Sequence, residues 1–495
     1  MRQLGSVEIC DELWLASDPF LDLESVSESV NYVMAMLFWR YATDVWRDRT
    51  AYWKRRHEGN QAMVQRRLSR ERILIPKGCT LDAFSIQRAA PDIGERINAV
   101  LDRIMAANRH KLGGVFDRID FGSERYLGRR EDRNVRLRRA IEGFCQGGFD
   151  FQISEFGDSR LIGEVVDLLL ERFSFWNSRH KRAFHTPASV SRLLGRLLAP
   201  SRGESIYDPV CGSGSLLVVL GREVAGRDFA LFGQEVNPMT HSLCRLNLLM
   251  QGGDAFRIEH GDSLVNPQFV SGTELMTFDV VVGDLPSLNS WDRERGARDP
   301  YQRFRAGLPP RSRPDFAFIL HMIHCARKDG GRVGVVVSRG ILFRGGVEGE
   351  LRKHLIEENL VDAVVAVPPK LMDRSSATVV ILILRRSRRS DEVTFVDASA
   401  EFAVKKNRNE IEAVQIDRIV AAYRHGVISE GVSVRVSVRT IAKNGYSLDL
   451  ENYISAVEAR KAIDLESVRD EIRGLEGELA EVRTRMKHCL EKLGI

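Results

Sequence analysis

Hydrophobic and polar positions follow a helical spacing in the first third of the chain. Up to about residue 175, apolar residues recur every three to four positions, as in 25–49, 93–107 and 160–173. This spacing is typical of amphipathic helices that turn one face toward a core. We therefore expect an N-terminal helical domain.

The pattern changes near residue 184, where short β-rich runs begin to alternate with helical patterns. The runs are SIYDPV, ALFGQEV, FRIEHGD, FDVVVGD, GRVGVVVS, VDAVVAV and TVVILIL. This alternation predicts an α/β fold with a doubly wound, largely parallel sheet. Only 11 residues separate 364–367 from 379–384, too few for a helical crossover, so this last pair of strands should be antiparallel.

The segment that begins near residue 455 has a third pattern, a heptad repeat. Its apolar residues are spaced alternately by three and four: Leu465, Val468, Ile472, Leu475, Leu479, Val482, Met486, Cys489 and Leu493. A seam this narrow must lie against another helix. Packing on the chain's own domain is one alternative, but docking on a partner's helices better explains the terminal position and the length.

Composition narrows the class of protein. With 495 residues, 43% hydrophobic and 28% charged, the chain has the size and balance of a folded protein of two or three domains. No apolar stretch is long enough to cross a membrane, and the acidic N-terminus does not resemble a signal peptide. Seven cysteines without a CxxC pair favour free thiols, so we expect a cytoplasmic protein with no membrane partner.

A glycine turn after the first strand predicts a ligand site. The strand SIY runs into DPVCGSGS (208–215), and a helical run follows. Glycines at such a turn let the backbone approach a ligand, and the helix N-terminus offers free N–H groups. The spacing is not GxGxxG, and Asp208 would repel a pyrophosphate. An acid beside a glycine turn instead suits the amino-acid moiety of S-adenosylmethionine.

Two further acids follow at the next strand ends. Glu235 lies 21 residues after Gly214, where nucleotide-binding α/β folds bind ribose hydroxyls, and Asp262 in GDSL is placed to receive the adenine amino group. Each acid alone could be a helix cap. Together they predict S-adenosylmethionine binding, because ligands in open α/β sheets bind at the carboxyl ends of strands.

The next strand ends in Asp284, Leu285, Pro286 and Ser287, which resemble the four-residue signature of DNA amino-methyltransferases. More broadly, the chain resembles the modification subunit of type I restriction-modification systems, a family of adenine-N6 DNA methyltransferases. The likeness is carried by 112–116, IDFGSERYLG (119–128), Phe184, Thr186 and Pro187 in FHTP, DPVCGSG, FGQEVNP (232–238), GDSL, 304–324 and 341–353.

The resemblance implies a fold and partners. The fold is an S-adenosylmethionine-dependent methyltransferase (Rossmann-like) sheet with an antiparallel terminal strand, an N-terminal helical domain and a C-terminal coiled-coil helix. The implied partners are double-stranded DNA and a DNA-specificity subunit docked on the C-terminal helix, with a restriction subunit as a further partner in some complexes. The reversed final hairpin also disfavours the distant alternative of a dinucleotide-binding dehydrogenase.

The motifs and the resemblance together define the expected regions and site residues. The regions are a helical domain at 1–175, a methyltransferase domain at 176–390, a C-terminal extension at 391–454 and a heptad helix for partner docking at 455–495. The expected cofactor-binding residues are Phe184, Thr186, Pro187, Asp208, Gly212, Ser213, Gly214, Glu235 and Asp262, of which the first three rest on the resemblance. The expected catalytic residues are Asp284, Leu285, Pro286 and Ser287, and no metal is expected.

The catalytic motif departs from the family pattern, Asn-Pro-Pro followed by Phe or Tyr. In that pattern the first side chain and the next carbonyl hold the adenine amine, and the aromatic ring stacks on the flipped base. Asp284 keeps an acceptor, whereas Leu285 loses the fixed φ of proline and Ser287 removes stacking worth about 1 to 3 kcal/mol. Trp291 is a candidate replacement ring.

Two functions remain open from the sequence. The first is a working adenine-N6 methyltransferase subunit. The second is a catalytically impaired homologue that binds cofactor or DNA as a scaffold in a defence complex. The seven arginines between Trp291 and Asp315 suit a polyanion in either case, although a solvated loop is an equal alternative for this run. His321, His324 and Cys325 share a helix face and could bind a metal, but a buried core helix is favoured.

Overall fold

The computed structural model describes most of the chain. The described residues are 5–23, 25–146, 151, 160–177, 186–224, 226, 228–286, 290–371, 378–405, 409–425, 432–454 and thirteen residues between 469 and 486. Within them, eleven helices precede the first strand of a nine-stranded sheet, and α11 together with later helices flanks this sheet. No helix in this part of the chain combines the length and the apolar character needed to span a bilayer.

The N-terminal helices pack around one apolar core. They are α1 (Ser6–Ala16), α2 (Asp18–Leu21), α3 (Val26–Arg56), α4 (Gln61–Leu68), α5 (Leu81–Ser85), α6 (Ile93–Ala107), α7 (Arg109–Leu112), α8 (Glu124–Leu127), α9 (Arg130–Gln146) and α10 (Arg160–Asn177). Helix α3 runs through the centre, and its residues 29–44 are all buried. The two charges among them, Arg40 and Asp44, form an ion pair at 2.8 Å, which a buried charge requires.

Thirteen strands follow in the described residues. They are β1 (Ser205–Asp208), β2 (Ala230–Glu235), β3 (Phe256–His260), β4 (Val270–Ser271), β5 (Glu274–Leu275), β6 (Val280–Asp284), β7 (Arg332–Ser338), β8 (Val361–Ala366), β9 (Val379–Arg385), β10 (Glu392–Asp397), β11 (Ala403–Val404), β12 (Asn409–Glu410) and β13 (Ser433–Ser437). The large sheet has the order β3-β2-β1-β6-β7-β9-β8-β10-β13, and two small ribbons pair β4 with β5 and β11 with β12.

Helices cover both faces of the large sheet. They are α11 (Ala188–Leu198), α12 (Ser215–Glu223), α13 (Pro238–Met250), α14 (Arg293–Ala297), α15 (Asp315–Cys325), α16 (Val347–Glu357), α17 (Ala413–His425) and α18 (Val438–Lys443), with 3-10 helices at Arg339–Leu342 and Leu450–Asn452. Residues of α15 and α16 belong to the core on one face, and residues of α11, α12 and α17 to the core on the other. The strands between them are apolar on both faces for this reason.

Strand directions confirm the predicted α/β sheet and its reversal. Strands β3, β2, β1, β6 and β7 run parallel. Strand β9 is antiparallel to both β7 and β8, with Ile381 facing Val336 on one side and Val365 on the other. The reversed strand does not close the sheet, however, because β8, β10 and β13 extend it further.

The helical part and the sheet are joined through α13. Leu243, Leu246 and Leu249 of this helix are buried in the same cluster as α3. Arg245, between them, donates from Nη1 to the carbonyl of Gly113 at 2.7 Å. The helix that follows β2 is therefore held on both sides, by the sheet and by the N-terminal helices.

The C-terminal segment is helical wherever it is described. Its seam residues there are about half exposed, between 49% and 59%: Ile472, Leu475, Leu479, Val482 and Met486. The other four residues of the predicted seam, Leu465, Val468, Cys489 and Leu493, lie outside the described residues. The coiled coil thus stays a prediction.

Candidate active site

The glycine turn after β1 adopts a conformation that favours glycine. Gly212 has φ 54° and Gly214 has φ 79°, both in the left-handed region. A Cβ atom on Gly214 would lie 2.7 Å from Cys244 Sγ of α13. Asn247 of the same helix donates from Nδ2 to the carbonyl of Ser213 at 2.9 Å. The turn is therefore packed tightly against α13, and its shape is fixed.

Asp208, the last residue of β1, lies beneath this turn. It is 2% exposed, and its Oδ1 accepts a hydrogen bond from the Val210 N–H at 2.9 Å. Burial is the main cause that raises the pKa of Asp208 well above its usual range, and the nearby carboxylates Asp284 and Glu235 add to it. The acids that end β1, β2 and β6 are thus close enough to affect one another's charge.

Glu235, the last residue of β2, accepts two backbone hydrogen bonds. Its Oε2 accepts from the Gly212 N–H at 3.0 Å, and its Oε1 accepts from the Asn237 N–H at 2.8 Å. Burial raises the pKa of Glu235, and these two N–H groups oppose the shift. The carboxylate therefore holds the glycine turn directly.

Asp262 opens the turn after β3. Its Oδ1 accepts from the Leu264 N–H at 2.8 Å. The next residue, Ser263, donates from Oγ to the carbonyl of Pro209 at 2.5 Å. This second hydrogen bond ties the turn of Asp262 to the turn of Asp208, so the predicted cofactor acids lie along one edge of the sheet.

Asp284 ends β6 at the same edge and is held by Thr186. Thr186 is buried and donates from Oγ1 to Asp284 Oδ2 at 3.2 Å. Its own N–H donates to Ser215 Oγ, at the start of α12, at 3.3 Å. Thr186 therefore connects the helix of the glycine turn to the acid of the catalytic motif.

Pro187 is buried as the N-cap residue of α11. Phe184 and Ser287 lie outside the described residues.

Comparisons with known proteins match both halves of the chain. The family model for N-6 DNA methylase matches residues 157–462, and that for the HsdM N-terminal domain matches residues 8–144. The chain belongs to the N-6 DNA methylase family. Two curated relatives are methylase subunits of type I restriction enzymes from Methanocaldococcus jannaschii. The MjaVIII subunit is 30% identical over 416 residues, which cover 80% of this chain and 70% of the relative. The MjaVII subunit is 32% identical over 343 residues, which cover 66% and 58%.

A solved structure extends the likeness to the whole fold. The type I restriction-modification methyltransferase subunit from Streptococcus thermophilus has a TM-score of 0.79 and 24% identity, and the match covers 91% of this chain and all of that one. A second structure, from work on complex assembly in a type I system, has a TM-score of 0.63 and 21% identity over 99% of both chains. Both matches support the methylase fold described above.

S-adenosylmethionine is the methyl donor of the N-6 DNA methylases. It carries a positive sulfonium and an ammonium group, and the site of this methylase fits such a ligand. Asp208 is buried and Glu235 is half-buried, and both have raised pKa values. Neither forms an ion pair with a lysine or arginine in the part of the chain that the structure describes. In the same part, the buried hydroxyl of Ser213 has no hydrogen-bond partner. A positive, polar ligand would satisfy both features.

The leucine at the second position of the methylase motif has a structural role. Leu285 is 7% exposed, and its side chain packs in the core that contains α15. Its N–H donates to the carbonyl of Val336 in β7 at 3.2 Å. A proline has no N–H and could not make this bond. Leu285 thus lacks the fixed φ of proline, but its N–H adds a hydrogen bond between the end of β6 and β7. Pro286, the next residue, is half-buried.

Trp291 does not fit the proposed role of replacement ring. It is 7% exposed, and its Nε1 donates to the carbonyl of Pro310 at 3.1 Å. The ring packs on Phe304, with centroids 5.2 Å apart. A Cβ on Gly296 would lie 2.3 Å from this ring, so the glycine makes room for it. A ring buried in this way is not available to stack on a flipped base.

The arginine-rich loop is less basic at its surface than the sequence suggests. Arg303 is buried and paired with Asp299 at 2.7 Å, and Arg313 is paired with Glu348 at 3.0 Å. Arg313 is exposed, as are the other five arginines of the loop: Arg293, Arg295, Arg298, Arg305 and Arg311. They lie in the segment that follows the catalytic motif, which suits contact with a polyanion.

The histidines of α15 belong to the core, as the sequence favours. His321 is fully buried, and burial and the charge of Arg303 lower its pKa well below the usual range. His324 Nδ1 lies 2.8 Å from the carbonyl of Leu320. Among the described residues, no group of three or more histidine, cysteine or acidic side chains is arranged to hold a metal ion.

A cavity of about 500 Å³ lies elsewhere, where β8 and β10 begin. This is the edge of the sheet opposite to the carboxylates. Two of its arginines are used internally: Asp362 accepts from Arg385 Nε at 2.9 Å and from Arg388 Nε at 3.0 Å. We therefore take the carboxyl edge of the sheet as the candidate active site, because the acids and the glycine turn meet there.

Proposed function

We propose that this methylase is the catalytic modification subunit of a type I system and transfers a methyl group to N6 of adenine in double-stranded DNA. The observation that carries the proposal is the position of Asp284. It ends β6 beside the cofactor turn, and Thr186 joins it to the helix that follows this turn. A hydrogen-bond acceptor at this position is what an exocyclic adenine amine requires before it can be methylated.

The proposed roles follow from the chemistry of each group. S-adenosylmethionine, when bound, supplies an electrophilic methyl group. Asp208, Glu235, Asp262 and the glycine turn bind the ligand, with Ser213 as a further donor. Asp284 and the carbonyl of Leu285 accept the hydrogens of the adenine amine, and Thr186 orients the Asp284 carboxylate. Phe184, Pro187, Pro286 and Ser287 remain assigned to the site by resemblance.

We further propose that a separate specificity subunit selects the DNA sequence and docks on the C-terminal helix. The half-exposed apolar seam of that helix supports such a contact. The exposed arginines after the catalytic motif suit the DNA backbone. A restriction subunit is a further partner in this proposal. The regions 1–175, 176–390, 391–454 and 455–495 remain our proposed domain division, in which β10 and β13 extend the methyltransferase sheet.

The methylated nucleoside that forms distinguishes adenine-N6 methylation from other DNA methylations. We expect mass spectrometry of nucleosides from DNA incubated with S-adenosylmethionine and the chain, in complex with its specificity subunit, to reveal N6-methyladenine. Asp284→Ala should reduce the yield by about a hundredfold or more, because the amine loses the acceptor that positions it. Glu294→Ala, an exposed acid in the next loop, is the control and should leave the yield unchanged. A methylated cytosine, or equal yields from all three proteins, would refute the proposal.

A further inference from the structure

Arg303 is a buried arginine in the loop after the catalytic motif. It is 2% exposed. Its Nε lies 3.1 Å from both carboxylate oxygens of Asp299, and its Nη2 lies 2.7 Å from Oδ1. Asp299 also accepts the backbone N–H of Arg303 at 2.7 Å. Asp299 and Arg303 therefore form a paired unit that the sequence DPYQR (299–303) alone does not reveal.

The remaining donors of Arg303 reach two other parts of the site. Nη1 donates to the carbonyl of Ser263 at 2.9 Å, and Nη2 donates to the carbonyl of Leu264 at 2.6 Å. These residues directly follow Asp262, the proposed adenine acceptor. Nη1 also lies 3.0 Å from His321 Nδ1. All five N–H groups of the guanidinium are therefore used.

The histidine continues the network to β1. Because burial and Arg303 lower the pKa of His321, its ring is neutral, and Nδ1 accepts from the arginine. Nε2 then carries the proton and lies 3.3 Å from the hydroxyl of Tyr207, the residue before Asp208. Burial raises the pKa of Tyr207, so this hydroxyl keeps its proton. The network thus extends from the loop to the end of β1.

Phe304, the residue after Arg303, also holds the loop in place. The ring of Phe304 packs on Trp291, which follows the catalytic motif, at a centroid distance of 5.2 Å. Arg303 therefore holds the turn of Asp262, while the adjacent Phe304 holds the segment after the motif. A lysine could not replace the arginine, because it has three donors on one nitrogen and no planar fork.

We propose that Arg303 is a positioning residue that keeps the adenine-binding turn of the cofactor site in register with the loop after the catalytic motif. It touches neither ligand and acts through the carbonyls of Ser263 and Leu264. The inference rests on the proposed function for the identity of the two ligands. Through this one side chain, the turn that binds the cofactor adenine is connected to the loop that is proposed to contact DNA.

The test measures cofactor binding separately from methyl transfer. We expect Arg303→Lys, in the full-length chain with its specificity subunit, to weaken S-adenosylmethionine binding in calorimetry by about tenfold or more, because the turn loses two charge-assisted hydrogen bonds. Amide hydrogen exchange at Leu264, whose N–H bonds to Asp262, should become faster in the folded variant. Arg389→Lys, the same substitution at an exposed position in the cavity at the opposite edge of the sheet, should change neither quantity.

A purely structural role gives a different result. In that case Arg303→Lys lowers the melting temperature, but the folded protein binds the cofactor with unchanged affinity, and this outcome would overturn the inference. If Arg303→Lys does not fold, Asp299→Asn replaces it, because it keeps every donor of Arg303 and removes the partner charge together with one of the two acceptor oxygens. Unchanged cofactor affinity in folded Asp299→Asn would likewise overturn the inference.

The two proposals fail in distinguishable ways. An unmodified complex that binds the cofactor but methylates no DNA would refute the proposed function and leave the result on Arg303 intact. Methylation by the unmodified complex, with equal cofactor binding in Arg303→Lys, would refute the inference alone. An unmodified complex that binds no cofactor would refute both.

Discussion

Gly214 determines whether the cofactor turn can pack on α13. Its φ of 79° is unfavourable for any other residue, and an added Cβ would lie 2.7 Å from Cys244 Sγ. We expect Gly214→Ala to lower the free energy of unfolding by about 2 to 4 kcal/mol, from backbone strain and overpacking together. Urea denaturation measures this change, and cofactor affinity should fall with it.

Gly203 provides a matched control for this prediction. It has φ 77°, but a Cβ added there would meet nothing within 4 Å. Gly203→Ala should therefore cost only the backbone strain, about 1 to 2 kcal/mol. Equal losses in the two variants would show that the contact with Cys244 is not the reason for the glycine.

The raised pKa values of Asp208 and Glu235 predict how cofactor binding depends on pH. Because the pKa values of Asp208 and Glu235 are raised in the folded chain, these groups stabilise the fold fully below the ordinary carboxyl pKa of about 4. This stability is lost as the pH rises through the raised values. A cationic ligand favours the charged carboxylates and lowers both pKa values again.

We therefore expect S-adenosylmethionine affinity to increase with pH above about 4, up to the raised pKa values of the two acids. Binding within this range should release protons. Calorimetry in two buffers with different ionisation enthalpies measures the number of protons released. Uptake of protons, or affinity that falls as the pH rises, would contradict the proposed roles of Asp208 and Glu235.

At the scale of elements, local sequence patterns were sufficient for most of the sheet. The alternation of strands and helices predicted β1, β2, β3 and β6 to β9, and the short connection before β9 predicted its reversal. Strands β10 and β13 are not among the predicted runs, although β10 (EVTFVD) has a buried apolar stretch that a local pattern can show. Strand β13, SVRVS, is a short, partly exposed edge strand, which gives it a weak hydrophobic pattern.

In the candidate site too, the sequence reveals the residues with local patterns but not the contacts between distant residues. Acids at strand ends can be read locally, because each follows an apolar run. The bond between Thr186 and Asp284 joins residues 98 positions apart, so only the fold reveals it. The same applies to Arg303, which the sequence presents as one of seven similar arginines. Leu285 was interpreted as a loss of rigidity, whereas its N–H bond to β7 depends on a neighbouring strand.

The C-terminal helix carries the prediction about assembly. Leu475 and Leu479 are 59% and 49% exposed and lie on the predicted seam. If a specificity subunit covers this seam, replacing both leucines by alanine should weaken the complex by about a hundredfold or more. Co-purification at submicromolar concentration measures this effect. Glu476→Ala with Glu478→Ala, on the same exposed helix, is the control, and equal co-purification of both double variants would contradict the docking proposal.

At the scale of the whole molecule, two features meet at the carboxyl edge of the sheet. The cofactor acids and Asp284 gather there because parallel strands end together. The loop that follows Asp284 exposes six arginines, of which Arg313 is paired with Glu348. The N-terminal helices hold α13, and α13 in turn holds the glycine turn. We infer that the N-terminal helices stabilise the cofactor site through α13, while the loop after Asp284 remains accessible to DNA.

The central claim is that the motif of Asp284 to Ser287 is a working variant and not a remnant. Single-turnover transfer of a labelled methyl group to unmethylated duplex DNA tests it most directly, with the unmodified complex, Asp284→Ala and Ser287→Phe side by side. We predict transfer by the unmodified complex, loss in Asp284→Ala, and transfer faster by about 5- to 150-fold in Ser287→Phe, which regains base stacking. An unmodified complex that binds the cofactor but transfers nothing until phenylalanine is restored would contradict the account.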